Sequence, residues 1–352
     1  MLIIGCDFHP SFQQVAIFDN RTGEMQEKRL QHRDEAERFY RELAGPPVRV
    51  GMEACGHYPW FERWLEELGI ELWLGDAAEV RGSVVRQQKT DRRDAEQLMH
   101  LLIEDRFPKI WVPSLEVRDV RPLLVHRHQQ GQTRTRTKNQ LQAMALSHGV
   151  QKKWKLWTKA GRAELEQLPW LPYAAERRQR LLEALDALEA DIVELNRRVE
   201  EEVRKRPEAV RLMTHPGVGP VTALAMVLTL GPAERFASSK EVGSYWGLIP
   251  SEESSGGKQR LGRISKQGSS FLRFLLVEAG PTAARYDPQL KRFYRRLAVR
   301  KNRGVAKVAV ARKLATRLYL MLCEQWTYAQ LSQAVMQVSP SHSVAGKQKP
   351  SS

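Results

Sequence analysis

The chain has 352 residues, 42% of them hydrophobic, which is enough for two or three buried cores and excludes a wholly disordered protein. Its 56 Lys and Arg against 41 Asp and Glu leave a formal charge of +15, which points to a polyanionic partner without naming one. Three cysteines make no even disulfide framework, no apolar run reaches about 18 residues, and MLIIGCDFHP lacks a basic segment ahead of an apolar one, so neither a membrane span nor a secretory signal is expected and the protein reads as cytoplasmic with reduced thiols.

Residues 1–112 read as α/β. Leu2–Cys6 is a short buried strand, Gln14–Phe18 a second, and the turn at Asn20–Gly23 leads to a third at Met25–Leu30, together a meander. Helical spacing follows over Arg33–Leu43, then a strand at Val48–Met52, a helix at Tyr58–Leu68, a strand at Glu71–Leu74, and helices at Ala77–Val85 and Asp91–Ile103. A meander followed by alternating helices and strands is the order of an RNase H-like fold, in which the first and fourth strands are neighbours. Residues 113–206 carry few strand signals and read as long helices. Leu181, Leu185, Leu188, Ile192, Leu195 and Val199 repeat at alternating steps of four and three, a heptad seam that fits either a helix packed on its own domain or a coiled coil between helices or subunits, and Pro207 ends it. Residues 207–328 form a further, mainly helical region, and 329–352, Ser/Pro/Lys-rich from Ser339, read as a disordered tail.

Four carboxylates in the first region carry the chemistry. Asp7 ends one apolar run and Glu53 another, and Asp91 and Asp94, three apart, share one face of a helix. Converging carboxylates hold divalent cations, and two such cations about 4 Å apart serve phosphodiester chemistry. Taken singly, Asp91 and Asp94 are explained as helix-end acids after Thr90, a ready N-cap. An Asp closing a buried strand needs a partner, so Asp7 is harder to explain away. His9 beside Asp7 and His57 beside Glu53 could sit near the site, but each reads first as a hydrogen-bonded structural histidine.

Three later segments point to phosphate. HPGVGP places Gly217 and Gly219 in a helix–hairpin–helix-like turn that either grips a DNA backbone or simply packs. Ser254, Ser255, Gly256 and Gly257 precede Lys258, Arg260, Arg263 and Lys266, a hydroxyl-bearing loop among cations that serves as a nucleophile or as a phosphate-touching surface. Lys or Arg then occupies twelve positions from Arg285 to Arg317, Arg292, Arg295, Arg296, Arg300, Lys301 and Arg303 among them, against one acid, Asp287. Such density repels itself without a polyanion, and it does not tell DNA from RNA.

With these residues in order, residues 1 to about 325 resemble the DEDD serine transposases of bacterial insertion sequences, recombinases guided by a bridge RNA and related to the Piv-type DNA invertases. The marks are GCD (Asp7), GMEACGHY (Glu53), KTDRRDAEQL (Asp91, Asp94), HPGVGPVTA and GLIPSEESSGGKQRLGRISKQGSSFLR. The resemblance implies a RuvC-like domain whose Asp7, Glu53, Asp91 and Asp94 bind Mg2+, a helical coiled-coil middle, and a C-terminal transposase domain whose serine, Ser255 with Ser254 as its neighbour, attacks DNA. It also implies donor and target DNA, a noncoding bridge RNA, composite sites in a homo-oligomer between dimer and tetramer, and a place at the bacterial nucleoid. A RuvC-type junction nuclease using water, and a non-enzymatic nucleic-acid binder, are the two rival readings.

Overall fold

Strand β1 (Leu2–Phe8) has two faces, because side chains alternate along it. Ile4 and Cys6 are buried on one, and Ile3, Gly5 and Asp7 share the other. The computed structural model describes residues 1–338 except 33, 44, 57, 84–89, 152–154 and 253–259. Within residues 1–113, the first of two compact units, β1 is followed by β2 (Phe12–Asp19), β3 (Met25–Gln31), α1 (Glu35–Glu42), β4 (Val48–Glu53), α2 (Pro59–Glu67), β5 (Glu71–Gly75), α3 (Ala77–Gly82) and α4 (Asp91–Ile103). The sheet order is β3-β2-β1-β4-β5, antiparallel through β1–β3 and parallel across β1–β4 and β4–β5. β1 and β4 are neighbours, as expected, with Cys6 opposite Met52, so Asp7 and Glu53 end adjacent parallel strands.

Both faces of the sheet are covered. Ile4, Cys6, Val15, Val50 and Met52 pack with Phe39 and Tyr40 of α1 and Phe61 and Leu65 of α2. Ile3 and Ala16 pack instead with Ala95, Leu98 and Met99 of α4. At the centre of that second face Gly5 has no side chain, and α4 lies directly on it: a Cβ there would stand 2.1 Å from the Ala95 carbonyl oxygen and 2.4 Å from the Met99 amide nitrogen. Gly51, one strand over, is covered by side chains rather than backbone, where a Cβ would meet Leu102 at 2.7 Å and Phe107 at 2.8 Å. α4 therefore runs antiparallel to β1, its later residues over the early strand and its first residues over the strand's end.

The second unit, residues 114–352, contains α5 (Leu115–Ser147), α6 (Lys159–Glu166), α7 (Pro172–Arg204), α8 (Pro207–Leu212), α9 (Pro220–Leu230), α10 (Ser239–Tyr245), β6 (Pro250–Glu252), β7 (Leu261–Ile264), α11 (Ser270–Tyr286), α12 (Pro288–Arg300), α13 (Arg303–Cys323) and α14 (Tyr328–Val338). α5 and α7 form an antiparallel pair. Arg127 Nε donates to Asn196 Oδ1 at 2.9 Å, Lys138 Nζ reaches Glu189 Oε1 at 2.7 Å, and Leu141 packs with Leu182 and Leu185. The partner of α7 is thus a helix of its own chain. Leu185, Ile192, Leu195 and Val199 of the seam are buried, but Leu182 and Val203 are buried while Leu181 and Leu188 are only half-buried. A helix of 3.6 residues per turn drifts off a 3.5-residue repeat, and the buried stripe drifts with it.

One hydrophobic cluster joins Leu124 of α5, Val199 and Val203 of α7, Leu224 and Met226 of α9, Leu276 of α11, Leu314 and Leu318 of α13 and Leu331 of α14. It crosses Pro207, which begins α8 as well as ending α7. Two features correct the sequence reading. Residues 328–338 are a helix seated on this cluster through Leu331, so the tail does not begin at 329. A short antiparallel ribbon, β6 paired with β7, interrupts the helices on either side of residues 253–259.

Gly5→Ala must push α4 off the sheet, because the obstructing atoms are backbone. We expect a loss of about 3 kcal/mol in local stability. Hydrogen exchange should show residues 2–8 and 91–103 losing protection together, and unchanged protection would refute the close packing.

Candidate metal centre and nucleic-acid interface

The close approach at Gly5 also sets where Asp7 lies. Two residues along β1 advance about 6.6 Å, and four residues back along α4 retreat about 6 Å. Asp7 and Asp91 therefore arrive together from a shared starting point, Gly5 against Ala95. Thr90 starts α4, its side chain accepting from the Arg93 amide at 3.3 Å, so the capping reading of this segment is also correct. Arg92 turns the other way and pairs with Glu27 of β3 at 2.6 Å, which leaves the Asp face of α4 to the strand end.

His9 completes the cluster. It lies two residues after Asp7, and its Nε2 is 3.0 Å from Asp7 Oδ2 and 3.6 Å from Asp91 Oδ1. One donor atom from each of Asp7, His9 and Asp91 lies within 4.8 Å of the others, and this is the one such group among the described residues. Glu53 and Asp94 stand outside that tight set, although Asp94 lies one turn along α4 within electrostatic reach of Asp7 and Glu53 ends the neighbouring strand. Burial pushes the Asp7 carboxyl above its ordinary range, His9 pulls it down, and Asp94 and Asp91 push it up again. Burial dominates the shift and the two neighbouring acids add to it, and a cation would relieve both. Two carboxylates and an imidazole are a chemically suitable donor set for a divalent ion. The i, i+2 spacing from Asp7 gives His9 first a structural reading in the sequence, and its hydrogen bond to Asp7 agrees with that reading while its approach to Asp91 goes beyond it. His57 lies outside the described residues.

The cysteine beside this site belongs to the core. Cys6 is fully buried, its thiol donates to Gln13 at 3.6 Å, and burial pushes its titration far up. Gln13 also accepts from the Tyr40 hydroxyl at 2.9 Å.

In the second unit, Ser254, Ser255 and Lys258 lie outside the described residues. Arg260, Arg263 and Lys266 are exposed just after them, Arg263 on β7. Gly217 has a positive φ, and a Cβ on it would stand 2.6 Å from the Ala283 amide nitrogen of α11, so packing explains this glycine. Gly219 caps α9, and a Cβ there would meet open space.

The basic stretch divides by partner. Arg317 Nη1 pairs with Asp287 at 2.5 Å and Lys307 with Glu278 at 2.6 Å. The other ten of the twelve are exposed on α11, α12, α13 and the α12–α13 connection, and none of them pairs with a described acid. They include Arg292, Arg295, Arg296, Arg300, Lys301 and Arg303. Phe293 and Tyr294 are half-buried against the core, with the Lys313 ammonium 4.7 Å from the Phe293 ring, while Tyr286 is exposed.

Comparison with known proteins matches both units to one family. A DEDD-type IS110 transposase model matches residues 4–148, which include all four carboxylates, and the model of the transposase IS116/IS110/IS902 family matches residues 209–295. A curated relative from Pseudomonas aeruginosa, described as a probable family 20 transposase, is 31% identical over 315 residues, covering 86% of this chain and 90% of its own. The chain belongs to the IS110 family of transposases. The transposase for insertion sequence element IS1328 of Yersinia enterocolitica is 31% identical, covering 77% of this chain and 82% of its own. That for IS1111A of Coxiella burnetii is 27% identical, covering 79% of each. The IS110-family protein is accordingly an enzyme acting on DNA, with a DEDD domain that implies a divalent metal. No helix among its described residues is long and apolar enough to cross a membrane.

The pairing pattern can be tested at both its buried and its exposed cations. Burial by itself raises the Asp287 carboxyl, but the Leu290 amide, Arg317 and Tyr328 outweigh it and hold it below 3.8. Its stabilisation is then complete above about pH 4 and fades as the pH falls through the depressed value. Arg317→Met, which strands the buried carboxylate, should cost about 3–5 kcal/mol at neutral pH. Thermal melting checks this, and Asp287→Asn should flatten the acid-side decline in stability. Separately, replacing Arg292, Arg295 and Arg296 by Gln should reduce the log–log salt dependence of DNA binding by about 0.9 for each phosphate no longer neutralised. An unchanged slope would show that α12 does not touch the backbone.

Proposed function

We propose that this transposase cuts and rejoins DNA by transesterification, with cations held by Asp7, Glu53, Asp91 and Asp94 and a serine nucleophile, Ser255 or its neighbour Ser254. The observation that carries the reading is the meeting of Asp7 and Asp91 at the end of β1 and the start of α4, inside the region matched to the DEDD transposases. The sheet order and crossover supply its scaffold, which we read as RNase H-like, of the RuvC type.

A bound divalent ion, with Mg2+ suited to the carboxylate oxygens, supplies charge neutralisation at the phosphate and activation of the attacking hydroxyl. The serine Oγ forms a bond to phosphorus as the bond to one deoxyribose oxygen breaks, and its proton leaves to solvent or a base. The hydroxyl of an incoming strand then attacks the phosphoserine, releasing the serine and joining the new partner. No net hydrolysis occurs, so the phosphodiester energy is kept. The exposed cations of α12 and α13, with Arg260, Arg263 and Lys266, hold nucleic acid backbones: donor and target DNA, and a noncoding bridge RNA that selects them. The protein acts as a homo-oligomer between dimer and tetramer, at the bacterial nucleoid.

Trapping on denaturing gels tests the chemistry. Wild type should give a covalent protein–DNA adduct. Ser255→Ala, or Ser254→Ala if the neighbour is the nucleophile, should abolish it, and Asp7→Ala should abolish cleavage while leaving DNA binding within about twofold. Cleavage without any adduct would identify water as the nucleophile and a RuvC-type nuclease. Sequencing the RNA that copurifies tests the guide.

A further inference from the structure

His9 is held too firmly for a surface side chain of its exposure. Its ring stacks on Phe12 with centroids 4.5 Å apart and planes at 23°. The Arg29 guanidinium also lies over the Phe12 ring, 3.8 Å from its centroid. The three side chains form a stack rooted in β2 and β3, and it aims Nε2 at the point where the Asp7 and Asp91 carboxylates converge. In one tautomer that nitrogen donates a hydrogen bond to Asp7. In the other its lone pair faces the same point as the two carboxylate oxygens.

We propose that His9 is a ligand of the divalent cation at this site, making it a mixed nitrogen–oxygen centre that takes manganese in preference to magnesium. The inference rests on the reading that Asp7 and Asp91 hold a cation. Magnesium favours oxygen donors and retains its waters; manganese also suits carboxylates, but it is a first-row transition metal whose sites admit nitrogen as well as oxygen, so an imidazole shifts the balance between these two ions towards it. The Phe12–Arg29 stack lowers the entropy cost of presenting the ring, as supporting residues do at metal sites generally.

The test uses full-length protein without nucleic acid, titrated with MnCl2 or MgCl2 by calorimetry, with electron paramagnetic resonance of the bound manganese. Wild type should bind manganese more tightly, and its manganese spectrum should carry nitrogen couplings. His9→Ala should weaken manganese at least ~10-fold, magnesium less than ~3-fold, and remove the nitrogen couplings. Phe12→Leu, which keeps every donor, should keep the couplings. Equal weakening of both ions in His9→Ala, no weakening, or a wild-type spectrum without nitrogen couplings would overturn the assignment of His9 while leaving the carboxylate site standing. If wild type binds neither ion, the cation reading falls with it.

Discussion

The packing of Gly5 against the backbone of α4 is the constraint on which the carboxylate site depends. A glycine in mid-strand weakens the strand it sits in, and here it permits a helix to approach closer than any side chain allows. Once Ala95 and Met99 rest on Gly5, the geometry of strand and helix brings Asp91 to the end of β1 beside Asp7. The site is therefore a product of backbone packing, and its two acids belong to elements that the fold does not leave free to separate. The opposite face of the same strand adds Cys6 and Ile4 to the core, so the strand that ends in Asp7 is anchored on both sides.

Charge is distributed to suit this arrangement. Burial, with the neighbouring acids adding to it, holds Asp7 above its ordinary range, while the second unit carries a basic surface over α12 and α13 whose exposed cations pair with no described acid. Two acids, at the start of α12 and on α11, are committed to other partners: Asp287 to Arg317 and Tyr328, Glu278 to Lys307. The buried Asp287 cluster pins the start of α12 to α13 and α14, and so orients the helix whose outer face is cationic.

Much of the first unit was legible in the sequence because its signals are local. Short apolar runs, turn glycines and a capping threonine mark its strands and helices, and strand order follows from the meander and crossover pattern. Asp7 and Glu53 were legible because each stands at the end of a strand, and Asp91 and Asp94 because they open α4 after its capping threonine. Three things were not. The role of His9 depends on stacking with Phe12 and Arg29, which no spacing encodes. The role of Gly217 depends on α11, some 60 residues away in the chain, so the same Gly-x-Gly reads equally as phosphate grip or as packing turn. The partner of α7 depends on which apolar face meets it, and the heptad pattern is silent between a helix of the same chain and one of another. The twelve cations counted alike in the sequence also separate only in three dimensions, where Arg317 and Lys307 prove to be structural.

If packing at Gly5 assembles a cation site between Asp7 and Asp91, anomalous diffraction from crystals of the full chain grown with manganese should reveal it most directly. A strong peak is expected within about 2.3 Å of a carboxylate oxygen of each residue. The absence of any peak joining Asp7 and Asp91 would contradict the assembly of that site.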